Sequence, residues 1–284
     1  MDHSMKVAAV QMVSTPDPAE NIEVGKRLVA EAAGQGAVLV SLPEYWPLMA
    51  VHERDKLLHA EAPEGGPIQE AMAQMALRHG IWLVGGSLPL ISSEAGKVRN
   101  TLMVYNPEGK LAARYDKIHL FSFTRGKESY DESRTITAGD AIRSVDTPIG
   151  RVGLSVCYDL RFPELYRALG TCNLIVVPSA FTYTTGSAHW EILLRARAIE
   201  NQCYVLAAAQ GGVHENGRRT WGHSMLIDPW GEVTTSLAEG EGVICGEIDL
   251  AKLRSIRDDL PALRHRQNAL CSTIDESDLN REKP

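Results

Sequence analysis

A chain of 284 residues, 44% of them hydrophobic, is long enough to bury a large core as one α/β domain or two smaller ones. Its formal charge of −7 argues against a nucleic-acid or anionic-membrane surface and for a small soluble molecule as partner. The start MDHSMKVAAVQMV lacks the apolar core of a signal peptide and no apolar run is long enough for a bilayer, so a cytoplasmic protein is expected.

Short β-branched runs alternate with helical stretches from the beginning of the chain. KVAAVQMV reads as a strand, residues 18–33 as a helix, AVLVSLP as a strand, residues 67–79 as a helix and IWLVGGS as a strand. This order predicts an α/β fold with helices covering a sheet. Within VLVSLPEYWP, Pro43 ends an apolar strand and Glu44 follows directly, beside Tyr45 and Trp46. Burial of a carboxylate against aromatic rings favours its protonated form, which suits a general base; the alternative is an exposed loop glutamate. NTLMVYNPEGKLAARY then reads as a hairpin around an Asn-Pro-x-Gly turn. Alternation along its returning arm puts Leu111, Ala113, Tyr115 and Lys117 on one inward face, where an ammonium needs an anionic partner; the alternative is a lysine at a fraying strand end.

In GLSVCYDLRFPE, residues 153–164, an apolar run delivers Cys157 to a strand end, and Pro163 with Glu164 opens the helix ELYRAL. A strand-to-helix turn presents a nucleophile with little freedom, and a following backbone N–H can point at a developing oxyanion. Against this stands the frequency with which lone cysteines are packing residues. LIVVPSA, a helix through SAHWEILLRARAIENQ, CYVLAAA and a second hairpin, GHSMLIDPWGEVTTSL, complete the pattern. The order of the second half parallels that of the first, which predicts an internal duplication with two similar sheets face to face. No linker separates the halves, so residues 5–268 are expected to form one domain and 269–284 a polar tail.

The five cysteines are scattered, with no CxxC pair, and the nine histidines form no HExxH, so neither a disulfide framework nor a metal site is expected. Glu44, Lys117 and Cys157, each at a strand terminus, together meet the needs of amide hydrolysis: a base, an oxyanion donor and a nucleophile. An adjacent lysine and base would make Cys157 more reactive than the other thiols. His119, His189 and His223 stay open as alternative bases, although none has a local signature tying it to Cys157.

LPE around Glu44, YDKIHLF around Lys117 and VCYDLRFPELYR around Cys157 resemble, in that order, the Glu-Lys-Cys motifs of the nitrilase superfamily of carbon–nitrogen hydrolases, over about residues 5–268. The resemblance implies an α-β-β-α sandwich, cofactor-free acyl-enzyme chemistry on an amide, and dimers. It also implies a second glutamate in GKESYDESRTITAGD, matched by Glu132 with Glu128 as the fallback. The segments reading AAAQGG and TWGHSM look most like the branch that hydrolyses deaminated glutathione; ω-amidases and true nitrilases are the neighbouring alternatives. Arg161 matches the arginine that follows the nucleophile, and its guanidinium fork suits a substrate carboxylate, with an ion pair to Glu164 as the alternative. Tyr158, beside the nucleophile, and Tyr183 and Thr185, after PSA, are expected to line the pocket. The helices near 161–170 and 187–201 are expected at the dimer interface.

Overall fold

The structure, a computed structural model, describes residues 4–126 and 128–267. The expected tail, 269–284, and Cys271 lie outside the described residues. In the first half, strands β1 (Ser4–Gln11), β2 (Leu39–Ser41), β3 (Trp82–Val84), β4 (Leu88–Ile91), β5 (Val98–Tyr105) and β6 (Leu111–Asp116) accompany helices α1 (Pro18–Gly34) and α2 (Pro67–His79). Both helices begin at proline, whose missing N–H costs nothing in a first turn. Asp17 caps α1 through the N–H of Ala19, and Gly80, at φ 60°, closes α2.

A small ribbon, β7 (Ser122–Arg125) and β8 (Glu128–Asp131), separates the halves. The second half holds β9 (Ser144–Thr147), β10 (Gly150–Leu154), α3 (Pro163–Ala168), β11 (Leu174–Val176), α4 (Tyr183–Asn201), β12 (Tyr204–Ala207), β13 (Ser224–Ile227) and β14 (Val233–Leu237). Strand β15 (Gly242–Asp249) returns to pair antiparallel with β1, and α5 (Leu250–Asp259) follows.

The duplication is visible in the strand pairing. One sheet runs β15-β1-β2-β3-β5-β4 with β6 also on β5, and the other runs β9-β10-β11-β12-β13-β14. Each has an antiparallel strand, three parallel strands and an antiparallel hairpin in that order. The two hairpin turns repeat in detail. Asn106 Oδ1 accepts from the N–H groups of Glu108 and Lys110, Asp228 Oδ1 accepts from those of Trp230 and Glu232, and Gly109 and Gly231 take φ of 72° and 89°. Each hairpin also carries a register shift, at Val104/Tyr105 and at Leu226/Ile227.

Side-chain alternation makes the layers. Val7 and Ala9 of β1 join a buried cluster with Leu154, Ile175, Val205 and Ala207 of the other sheet, a cluster that continues to Trp190, Leu194 and Ala198 of α4. Ala8 and Val10 pack outward with Leu28 and Val29 of α1 and Met72 and Met75 of α2. The result is an α-β-β-α sandwich. The first hairpin's returning arm turns inward only gradually: Leu111 is exposed, Ala113 half-buried, and Tyr115 and Lys117 buried, so the expected inward face starts two residues late.

The parallel strands of both sheets deliver their following loops to one place. Beyond β2 come Pro43 and Glu44; beyond β11, its counterpart, come Pro178 and Ser179. Gly86, at φ 57°, lets the first loop lie against the β3–β4 connection, since a Cβ there would overlap the Pro43 carbonyl.

Candidate active site

Lys117 is 1% exposed and its ammonium donates to two carboxylates, reaching Glu44 Oε1 at 2.8 Å and Glu132 at 3.0 Å (Oε1) and 2.8 Å (Oε2). Burial alone would drive it toward the neutral amine. The charges of Glu132, then Glu44, then Cys157 overcome that and hold its pKa above the ordinary lysine value.

Glu44, also 1% exposed, is surrounded by donors. Oε1 further accepts from Asn100 Nδ2 at 2.9 Å, and Oε2 accepts from the Ala180 N–H at 3.0 Å across the sheet interface. Its carbonyl accepts from Gln210 Nε2 at 3.2 Å. The flanking aromatics do not form the apolar wall expected of them. Trp46 donates its indole N–H to Gly85 and belongs to the outer core, while Tyr45 donates its hydroxyl to Glu132 Oε1 at 2.6 Å. Glu132 Oε2 accepts in addition from the Phe121 N–H at 2.7 Å. Glu128, the fallback, accepts from Thr184 Oγ1 instead, so Glu132 is the glutamate that meets Lys117.

Cys157 lies three residues beyond β10 with φ 50°, a conformation a β-carbon-bearing residue adopts only when its surroundings enforce it. Asp159 does so. Its fully buried carboxylate accepts from the Val156 N–H at 2.9 Å, the Tyr115 hydroxyl at 2.7 Å, and the His119 N–H and Nδ1 at 3.0 and 2.7 Å. The nucleophile turn is thereby tied to the two residues that bracket Lys117. The Cys157 N–H donates to the Pro178 carbonyl at 2.9 Å, which leaves the N–H of Tyr158 as the backbone group suited to an oxyanion.

Burial, and then the Glu44 charge, push the Cys157 thiol well above its ordinary pKa, against the opposing charge of Lys117. The thiol form is thereby favoured at rest, so the neighbours do not activate Cys157 by lowering its pKa, and the expected activation calls for a base, for which Glu44 is the carboxylate beside the sulfur. The three histidines have other partners. His119 stacks on Phe162 and binds Asp159, His189 meets Arg161, and His223 stacks on Trp221.

A narrow cleft over Cys157, with room for about one water in its roughly 10 Å³, is lined by Phe121, Tyr158, Arg161, Phe181 and Thr185. Arg161 makes no ion pair with Glu164. Its guanidinium lies 5.7 Å from the Tyr158 ring centre and 5.4 Å from that of Phe181, with His189 Nδ1 at 3.2 Å, and among the described residues it pairs with no carboxylate. Thr185 is joined to the helix cap Thr182 at 2.9 Å. Tyr183 does not join this lining; its ring packs on Trp221 and under Arg219. Asp159, Asn100 and Gln210 were not anticipated as site residues, and Tyr45 was expected only as an aromatic flank of Glu44. Gln210 had a sequence signal in the AAAQ segment, and Asp159 lies within the VCYDLRFPELYR motif.

The carbon-nitrogen hydrolase profile matches residues 6–258. The chain belongs to the carbon-nitrogen hydrolase family. It is 41% identical over 268 residues to a Yersinia enterocolitica protein named deaminated glutathione amidase, covering 92% of each chain. It is 40% identical over 272 residues to the Homo sapiens omega-amidase NIT2, covering 94% of this chain and 96% of that one. Among solved structures, Saccharomyces cerevisiae Nit3, described as a member of branch 10 of the nitrilase superfamily, superposes with a TM-score of 0.81 at 30% identity, covering 91% of this chain and 94% of that one. This carbon-nitrogen hydrolase is thus an enzyme of the amide-cleaving kind, and no helix among its described residues is long and apolar enough to cross a membrane.

A thiol at rest has a spectroscopic consequence. The difference in absorbance near 240 nm between the native protein and Cys157→Ala should be flat through neutral pH and rise only above about pH 9, because a raised pKa delays thiolate formation. A step between pH 5 and 8 that vanishes in Cys157→Ala would show a preformed thiolate and contradict this account. Cys172, Cys203 and Cys245 are also pushed up by burial and add nothing in that window.

Proposed function

We propose that this hydrolase cleaves a small carboxylate-bearing amide through a thioester on Cys157, and that its substrate is deaminated glutathione, released as 2-oxoglutarate and cysteinylglycine. The observation that carries the chemistry is the buried ammonium of Lys117 held by Glu44 and Glu132 beside Cys157. Glu44 takes the thiol proton and sulfur adds to the amide carbonyl. Protonation of Glu44 removes the charge that held Lys117 from one side, freeing an N–H to face the new oxyanion together with the Tyr158 N–H. Glu44 then returns the proton to the departing nitrogen, the C–N bond breaks and the amine leaves. Water, deprotonated by Glu44, adds to the thioester, and the tetrahedral intermediate collapses to the acid by expelling the Cys157 sulfur, which takes back the proton from Glu44 and restores the resting enzyme. Glu132 keeps Lys117 charged and oriented throughout, and no cofactor is called for.

Arg161 supports a carboxylate on the acyl side, since its guanidinium lines the cleft without an anionic partner. Tyr158 and Thr185 border the acyl chain there. The relatives' names support two substrates, and the second reading is an ω-amidase acting on 2-oxoglutaramate, which presents the same acyl group to the cleft but whose leaving group is only ammonia.

We further propose one domain over residues 5–268, working in the cytoplasm as a homodimer. Ile192 and Ile199, one helical stripe of α4, are 70% and 49% exposed, and Trp230 beside them is 64% exposed. Such an apolar patch on a charged helix suits a subunit contact. Light scattering at micromolar concentration should give about twice 31.1 kDa; the monomer mass across that range would contradict the dimer.

Intact-mass measurement during turnover of a slow amide should find the acyl group on the peptide containing Cys157, and Cys157→Ala should be inactive yet folded. The native enzyme should show a higher kcat/KM for deaminated glutathione than for 2-oxoglutaramate, with Arg161→Ala lowering both. The reverse preference would make it an ω-amidase, and an adduct on another residue would refute the thioester.

A further inference from the structure

A second and larger cavity adjoins the cleft, and Phe121 lines both. Its volume, about 370 Å³, falls in the range of small-molecule sites, and Tyr45 and Glu132 bring it to the back of the Lys117 cluster. Two cations line it. Arg218 donates one Nη2 hydrogen bond to the Ala180 carbonyl at 2.7 Å, but its buried Nε has no hydrogen-bond partner, and its guanidinium lies 5.2 Å from the Tyr130 ring centre. Lys56 Nζ donates to Thr135 Oγ1 at 3.1 Å and lies 5.9 Å from the Tyr45 ring centre. Neither cation is ion-paired among the described residues. Of the two carboxylates in the lining, Glu132 is already committed to Lys117, Tyr45 and Phe121, and Glu53 is exposed to solvent. Burial pushes the Lys56 pKa down, chiefly against the pull of Glu132, as in a cavity short of negative charge.

We infer that this cavity is the leaving-group subsite and that Lys56 and Arg218 bind a carboxylate at the far end of the departing amine, as in a dipeptide with a free C-terminus. The inference rests on the amidase reading above for its direction. With the acyl carboxylate at Arg161 and the carbonyl at Cys157, the leaving nitrogen points past Phe121 toward Glu132. A departing dipeptide then reaches the cations, whereas ammonia cannot. The two cavities therefore divide the labour of recognition, and Lys56 with Arg218 becomes the determinant that separates a dipeptidyl amide from a primary amide.

The test uses the full chain carrying Cys157→Ala, so that no chemistry intervenes. Calorimetry should detect cysteinylglycine binding, weakened roughly tenfold or more when the dipeptide's C-terminus is amidated, the scale of one charge-assisted hydrogen bond. Lys56→Met and Arg218→Met should each weaken the free-acid dipeptide and erase most of that difference. In the otherwise native enzyme, the same substitutions should lower the ratio of kcat/KM for deaminated glutathione over 2-oxoglutaramate by a similar factor. Equal binding of acid and amide, no binding of the dipeptide, or a difference untouched by both substitutions would each overturn the assignment. Failure of the enzyme to hydrolyse either oxo-acid amide would refute the proposed substrate class, while the dipeptide measurement would still decide the subsite.

Discussion

The site depends on one buried ammonium held between two carboxylates. A lysine removed from water is driven toward the neutral amine, and an isolated buried carboxylate toward the neutral acid. Lys117, Glu44 and Glu132 settle both problems at once, each charge answering the others, and Asn100, Tyr45 and the N–H groups of Phe121 and Ala180 fill the remaining lone pairs. Breaking such a set by removing one member leaves an uncompensated charge, a loss of about 3–5 kcal/mol. The cluster is also asymmetric in a useful way. Two carboxylates around one ammonium leave a net negative charge beside Cys157, which adds to burial in favouring the protonated thiol.

The duplicated fold explains how distant residues reach this point. Each half ends its central parallel strands at the same level, and stacking the two sheets brings the Pro43–Glu44 loop against the Pro178–Ala180 loop. The Pro178–Ala180 loop serves both sides of the site: Ala180 donates to Glu44 across the sheets, while Pro178 accepts from the Cys157 N–H within its own half. Asp159 adds the third tie, from the nucleophile turn to Tyr115 and His119 on either side of Lys117. A cysteine held at positive φ needs such bracing.

Much of this was legible in the sequence because it is local. Glu44 and Cys157 each follow a run of apolar residues, Lys117 ends an arm whose alternation points it inward, and an ionisable group at such a place stands out against the pattern. The bounds of α1 and α2 were legible too, since Pro18 and Pro67 start them and their apolar spacing runs to the end. The choice between Glu132 and Glu128 was not, because both lie in a polar stretch and only the path of the β7–β8 ribbon decides which reaches Lys117. Asp159 and Asn100 looked like ordinary polar neighbours and Tyr45 like an aromatic flank of Glu44, since Tyr115, Glu44 and Glu132, the partners that draw them into the site, lie 44, 56 and 87 residues away in the chain. Tyr183 illustrates the converse. Its position after PSA suggested the pocket, but the first turn of α4 carries Thr185 to the cleft and turns Tyr183 toward Trp221 and Arg219. The cations of the second cavity come from loops, 50–66 and 211–222, that have no periodic pattern to read.

The charge state of Lys117 is the most direct measure of this account. In protein labelled with ¹⁵N at lysine Nζ, the signal lost in Lys117→Met should be that of a protonated, exchange-protected ammonium, unchanged from neutral pH to about pH 10, because Glu132 and Glu44 hold its pKa above the ordinary value. A Lys117 signal that titrates to the neutral amine below about pH 9 would mean that burial prevails over the two carboxylates, and the mechanism built on their balance would fall with it.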